Sequence, residues 1–452
     1  MCNCNSLIAN IRTGLALPTL LLVVFAALPW PAAIAQTGES ETSNAKFQAT
    51  YVWQAKPAMS SLYSGTNSLT PQREKSYSFT TTAALGVRPW AGGEAYFNPE
   101  VAQGVPLSNL TGLGGFTNGE MARTSGPNPT LYRARLFLRQ TWNTGGNPEK
   151  IESDFNQLAG TVDKRRWVLT TGNLSVTDIF DDNAYSHDPR TQFLNWSIMT
   201  HGAYDFAADS RGYSWGIALE RYYDDWVIRA GRFLQPRQPN QLKLDPALFR
   251  AYGDQIEFER AHAIAGQSGK VRVLAFRNRS KMARYEDALA LGARTATTPD
   301  ITIERNTSQV KSGVGVNLEQ AVTADTGLFL RMSWADGKTE AYAYTEIDNS
   351  LSGGALIKGT AWQRGKDTVG IAFASNGLSK QHRDYLQAGG LGFFIGDGRL
   401  RYKRETIFET FYSVSLTKAL SISLDYQRIQ NPAYNAHRGP ANFYAMRLHA
   451  EY

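Results

Sequence analysis

From Tyr77 to the final residue, apolar and polar positions alternate with a period of two, and helical periodicity is scarce. The last segment shows this best. Tyr444, Met446, Leu448, Ala450 and Tyr452 share one face, while Phe443, Ala445, Arg447, His449 and Glu451 share the other. Leu420, Ile422, Leu424 and Tyr426 stand opposite Ser421, Ser423, Asp425 and Gln427. Phe408, Thr410, Tyr412, Val414 and Leu416 stand opposite Glu409, Phe411, Ser413 and Ser415. The two runs flank Thr417, Lys418 and Ala419, a connection short enough for a hairpin turn. Leu328, Leu330, Met332 and Trp334 oppose Phe329, Arg331 and Ser333. Trp215, Ile217 and Leu219 lead through a turn at Tyr223 to Trp226 into Ile228 and Ala230. A soluble β-sandwich also alternates. Here the polar faces carry many charges and aromatics gather near strand ends, as the girdles of a membrane barrel require. The pattern predicts an all-β chain, a transmembrane antiparallel up-and-down β-barrel.

Long connections interrupt the alternation. Residues 100–129 are rich in Gly, Pro and Asn, and residues 177–211 are dense in Asp and aromatics. Residues 278–307 include an expected helical turn around Tyr285 to Leu291. Loops of this length are seldom idle. The first two supply Glu100, Glu120, Asp182, Arg190, Trp196, Asp205 and Arg211 as candidates for contact with a solute, although each residue type is more often an ordinary solvated or salt-bridged loop residue.

The start of the chain follows a different rule. Arg12 precedes the apolar run Leu15 to Leu28, and Ala33-Ile34-Ala35 supplies small residues before Gln36, the layout of a cleaved secretory signal. The expected organisation is therefore a signal peptide over 1–35 and one barrel over 36–452, with a short polar lead from Gln36 to Asn44. Both cysteines, Cys2 and Cys4, precede the apolar run, so the mature chain has none and cannot use a disulfide, thiolate or Cys-based metal site. Removing 35 of 452 residues leaves 417, and at roughly 25 residues per strand with its connection these accommodate about 14 to 18 strands. Aromatics make up 12% of the chain, and no later stretch approaches 18 consecutive apolar residues. The formal charge of +7 is dispersed, which counts against nucleic acid and fits a mildly basic lumen.

The sharpest local pattern is Arg133, Arg135 and Arg139 at alternate positions of Leu131 to Trp142, opposite Ala134, Leu136 and Leu138. Arginine facing hydrocarbon costs about 2–4 kcal/mol near the midplane, so all three are expected to point into the pore, paired with carboxylates of neighbouring strands. Enzyme-like patterns fail on context. Gly212 to Gly216 matches G-x-S-x-G around Ser214, but a strand follows where a helix is needed. Gly337-Lys338-Thr339 lacks the first glycine of a phosphate loop and reads as a hairpin turn. The six histidines show no metal-binding spacing. No catalytic or metal residue is assigned, though His187 or His201 at a barrel rim leaves a hydrolase open.

In order along nearly the whole mature chain stand Gly92 to Glu100 (GGEAYFNPE, including Glu94), Gly114 to Glu120 (GGFTNGE), Asp181 to Arg190 (DDNAYSHDPR), Asn195-Trp196, Gly202 to Asp205 (GAYD) and Ser333 to Gly337 (SWADG). Tyr385 to Gly390, Gly396 to Leu400 (GDGRL), Asn431 to Asn435 (NPAYN) and Arg438 to Pro440 follow. This series resembles the carbohydrate-selective porin family, of the glucose-inducible outer-membrane type. Ala95 and Thr117 depart from it, where a larger apolar residue and a proline are expected. The resemblance implies a 16-stranded barrel, a sugar-selective lumen narrowed by inward loops, no cofactor, and small carbohydrates as solutes. Its setting would be outer-membrane lipid, reached through the barrel assembly machinery, with monomer or homo-oligomer left open. A general or anion-preferring porin is the alternative in the same class; an outer-membrane hydrolase and a secreted β-rich lectin are the alternatives outside it.

Overall fold

A computed structural model describes residues 40–121 and 126–452; the leader expected at 1–35 lies outside the described residues. Eighteen strands occur among them. They are β1 (Ser43–Lys56), β2 (Glu74–Trp90), β3 (Gly93–Val105), β4 (Thr130–Asn143), β5 (Pro148–Ile151), β6 (Gly160–Asp163), β7 (Arg165–Leu174), β8 (Ser214–Tyr223) and β9 (Trp226–Leu234). The second half comprises β10 (Tyr252–Ile264), β11 (Gln267–Lys281), β12 (Ser308–Ala321), β13 (Thr326–Ala335), β14 (Asn349–Gly359), β15 (Arg364–Gly377), β16 (Glu405–Ser415), β17 (Leu420–Gln430) and β18 (Ala441–Glu451). Sixteen strands form one closed antiparallel barrel, and β5 and β6 make a separate two-stranded hairpin. Closure joins the first strand to the last, from Gln48 opposite Glu451 to Ala55 opposite Tyr444. Among the described residues the barrel itself leaves no strand edge open, which is the condition for crossing lipid with strands.

The alternation explains the wall. On β13, Leu328, Met332 and Trp334 are exposed outside, while Phe329 and Arg331 are buried inside. Two details differ from the sequence expectation at the amino-terminal end. Ser43 and Asn44 begin β1 rather than closing a polar lead, and Glu100 lies on β3, whose ladder with β2 and β4 continues to Val105.

One end of the barrel carries turns of two to four residues, except between β4 and β7; the other carries long loops. Among these, L2 spans 106–129, L3 spans 175–213, L6 spans 336–348 and L7 spans 378–404. Gly337 to Thr339 therefore belongs to a long loop, not a hairpin turn. An α-helix, α1 (Tyr285–Thr295), lies where a helical turn was expected, after β11 has run on to Lys281.

The loops fold into the barrel and bring apolar residues with them. Phe193 of L3 packs against Phe329 and Phe411 of the wall, with ring centroids 5.5 and 5.1 Å apart. Phe116 of L2, Trp196 of L3 and Phe394 of L7 pack together beside it. Gly315 of β12 makes the close approach work: a β-carbon there would lie 2.5 Å from His201 Nε2.

A loop inside a barrel must still satisfy its backbone amides. Carboxylates do this. Glu409 of β16 accepts from the amides of Leu194 and Asn195 at 2.5 and 3.1 Å, and Glu405 accepts from Gly114, Gly115 and Ala433 at 2.8–3.1 Å. Glu346 of L6 accepts from Phe393, Phe394 and Ile395 of L7. Each of these side chains presents two acceptor oxygens and so gathers two or three otherwise orphaned amides at once.

Candidate functional site

The inward loops leave a cavity of about 760 Å³ between L3 and the inner face of β1–β4. Of the residues singled out in the sequence, Arg135, Arg139, Glu100, Glu120, Asp182, Arg190, Trp196 and Arg211 are brought together on its lining.

Arg190 sits at its centre. Its Nε lies 2.9 Å from Glu120 and its Nη2 lies 3.3 Å from Glu100. Both carboxylates are themselves held, Glu120 by the Thr80 hydroxyl and Glu100 by the hydroxyls of Thr82 and Tyr132. Burial opposes the charge on Arg190, yet Glu120 and Glu100 keep its guanidinium more firmly protonated than an ordinary arginine. Arg135 binds Asp178 of L3 through both Nε and Nη2, at 2.7 and 2.6 Å, and lies over the Tyr213 ring. Arg211 lies over the Tyr132 ring at 4.3 Å. Arg139 is nearer the short-turn end, 3.5 Å from Glu94 and with its guanidinium over Tyr96. Glu94 thus acts one step behind the cavity surface, divided between Arg139 and Arg88.

Arg133 does not join them. The pairing of β3 with β4 skips a residue, so that Asn98 faces Arg135 and Pro99 faces Arg133. Ala134 is the unpaired extra residue of a β-bulge, and it reverses the parity of the strand. Arg133 is consequently exposed, with its guanidinium 5.0 Å from the ring of Trp215, itself on the outer face.

Asp205 also departs from expectation. It is buried away from the cavity, where it binds Lys311 at 3.2 Å and accepts from the amides of Tyr342, Ala343 and Tyr344. It is a clamp on L6. Trp196 is largely covered, stacked on Tyr344 with centroids 5.3 Å apart, and shows the cavity little of its face. Burial would raise the Asp182 carboxyl, but His187 and Arg272 hold it below its ordinary value.

The sequence reading overlooked Tyr132, Asp178, Tyr213 and Tyr344, which line the same space. Tyr132 was legible as the aromatic neighbour of the arginine run; nothing local marks Tyr344. The lining carries eight carboxylates against four arginines, so this cavity is acidic although the whole chain is basic. That overturns the expected basic lumen. The positive charge lies elsewhere.

The wall opposite carries a lattice of ion pairs under L3. Arg229 contacts Glu220, Glu257 and Glu259, each at 3.0 Å, and Arg272 contacts Glu259 and Glu319 at 2.8 and 3.0 Å. Beneath L3, Asp181 binds Arg331 at 2.9 Å, and His201 Nε2 lies 3.4 Å from Asp181. Burial pushes the His201 imidazole down to about 4, with Asp181 pulling the other way. It is neutral and packed, not poised at a rim. The Ser214 hydroxyl donates to the carbonyl of Leu234, within the strand where the sequence placed it.

The family model described as carbohydrate-selective porin, OprB family, matches residues 73–452. Among solved structures, the high-pH structure of Pseudomonas putida OprB superposes with a TM-score of 0.67 at 16% identity, covering 90% of this chain and 94% of that one. The outer membrane channel DcaP of Acinetobacter baumannii superposes at 0.52 with 9% identity, over 92% and 99%. No curated protein sequence matches.

Proposed function

The chain belongs to the carbohydrate-selective porin family and is a sugar channel of the Gram-negative outer membrane; from this premise we propose that small neutral sugars cross it by way of the cavity between L3 and the β3–β4 wall. The observation that carries the proposal is Arg190 between Glu100 and Glu120. A guanidinium beside two carboxylates offers donors and acceptors a few ångströms apart, which suits vicinal hydroxyls that both donate and accept. Tyr132 and Tyr213 carry Arg211 and Arg135 over their rings, so they position these guanidinium groups on the lining rather than presenting open ring faces. All these polar groups already have protein partners, so a sugar exchanges bonds rather than adding them. Binding is then weak enough to allow release, as conduction requires.

Four further statements belong to this reading. Residues 1–35 leave on export, and the remaining chain reaches its membrane through the barrel assembly machinery. The strand context of Ser214 and the burial of His201 support a channel without catalysis. No cofactor is needed for passive diffusion. The acidic lining disfavours the anion-preferring alternative.

The test is bilayer recording with a panel of mono- and disaccharides. Sugar should lower the ion current in a saturable way, and Arg190→Ala should weaken that block at least tenfold, the scale of one lost charge-assisted hydrogen bond of about 1.5 kcal/mol. Current that no sugar reduces would turn the reading to a general porin.

A further inference from the structure

Residues 144–164, between β4 and β7, sit at the periplasmic end, where every other turn spans two to four residues. This connection holds the β5–β6 hairpin, and the hairpin turns back into the barrel mouth. Its tip is a tight reversal in which Asp154 and Gln157 exchange backbone hydrogen bonds, with Asn156 in the left-handed region at φ 55°. Three strands of the wall hold it. Arg139 of β4 donates to the Asn156 carbonyl at 2.9 Å, the Tyr96 hydroxyl of β3 accepts from the Leu158 amide at 3.1 Å, and Asn44 of β1 donates to the Gln157 carbonyl at 2.9 Å. Glu41, just before β1, accepts from the Ala159 amide at 2.8 Å and donates its own amide to the Ala159 carbonyl at 3.0 Å. Leu158 is 2% exposed. A connection free to hang in the periplasm would have none of these ties.

The tip also faces the solute path. Asp154, Phe155 and Asn156 line the same cavity as Arg190 and Glu100, at its periplasmic end. Asp154 has no cation within ion-pair distance among the described residues; its carboxylate accepts only from the neighbouring Phe155 amide. We infer that the β5–β6 hairpin is a second filter in series with L3, a resident constriction at the periplasmic exit where Asp154 turns back anionic sugars and passes neutral ones. The inference rests on the lumen being the path proposed above. Glu41 is a positioning residue, acting through Ala159 to keep the tip seated.

Residues 40–452 contain no cysteine, so thiol chemistry gives a clean test. Asp154→Cys, treated in the bilayer with a bulky neutral methanethiosulfonate from the periplasmic side, should lose roughly half its conductance. Unchanged conductance overturns the inference. Replacing residues 152–159 by a short Gly-rich turn should raise conductance and let uronic acids enter liposomes at the rate of neutral sugars; an unaltered size and charge limit overturns it. Asn44 Nδ2 lies 3.3 Å from the Ser153 hydroxyl. An oxidised Asn44→Cys/Ser153→Cys pair should therefore conduct as the reduced protein does, and a drop on oxidation would show that the tip normally swings clear. Sugar block of the unmodified channel, recorded in the same bilayers, separates the two claims. If no sugar blocks it while Asp154→Cys responds, the sugar reading fails and the periplasmic constriction stands.

Discussion

Arg135 and Asp178 are joined by two parallel hydrogen bonds, 2.7 and 2.6 Å long, that tie the mouth of L3 to β4 across the cavity. Both side chains are mostly covered, and charge-assisted bidentate pairs of this kind contribute about 1–3 kcal/mol. Arg135→Ala should therefore loosen the start of L3, raise single-channel conductance and increase current noise. Asp178→Asn keeps one acceptor and should fall between that variant and the unmodified channel.

Arg133→Ala is the matched control. Its guanidinium lies over Trp215 on the outer surface, a contact worth about 0.5–1 kcal/mol. Conductance and sugar block should stay unchanged in bilayers. A change like that of Arg135→Ala would return Arg133 to the lumen and the bulge at Ala134 would be wrong.

The acidic lining sets the ion preference. With eight carboxylates against four arginines along the path, potassium should pass more readily than chloride, despite the formal charge of +7 on the chain. The reversal potential in a salt gradient reads this directly, and the preference should weaken as ionic strength rises.

Glu409→Ala removes the acceptor for the amides of Leu194 and Asn195. Leaving two buried donors unpaired costs about 2–4 kcal/mol, charged against the inserted state of L3. The barrel ladder is untouched, so heat-modifiable migration in gels should persist while the sugar block is lost. Failure of the barrel to form would mean that L3 and the wall are not separable.

His201 gives L3 a pH dependence of known sign. An imidazole at about 4 in the folded loop and about 6.5 when released binds its proton more readily in the released state. The seated loop is therefore most stable above pH 6.5 and loses stability as pH falls towards 4, by roughly 3 kcal/mol in full. The protection factors of the L3 amides, exchange rates divided into the intrinsic rate at each pH, should fall between pH 7 and pH 5, and His201→Asn should flatten that response. Asp181 faces the ring and is paired with Arg331; burial would raise its carboxyl, but Arg331 and His201 hold it below its ordinary value.

What could be read from the sequence follows from how the signal is written. The outer faces of β13, β17 and β18 alternate with a strict period, because lipid demands an apolar residue at every second position, and those strands fall where the pattern put them. The arginine run on β4 was read with the same period and misled at Arg133, since a bulge adds one residue without changing the composition around it. Asp205 and Trp196 were singled out as candidates for solute contact, but their partners Lys311 and Tyr344 lie more than a hundred positions away, beyond any local pattern. The acidic lining of the cavity was hidden by a global count, because that total includes Arg229, Arg272 and Arg331, which are paired elsewhere inside the barrel. The turn at 144–164 carries no strong periodicity; its identity comes from Arg139, Tyr96 and Asn44 meeting it from three strands.

Because Gln48 to Ala55 pair with Glu451 to Tyr444, the seam of the cylinder is sewn between the first and the last of the described strands. Until β18 arrives, β1 and β17 each present a row of unpaired amides and carbonyls, the arrangement that recruits foreign strands. A product truncated before Ala441 would leave both of these edges open, an adhesive sheet rather than a smaller pore.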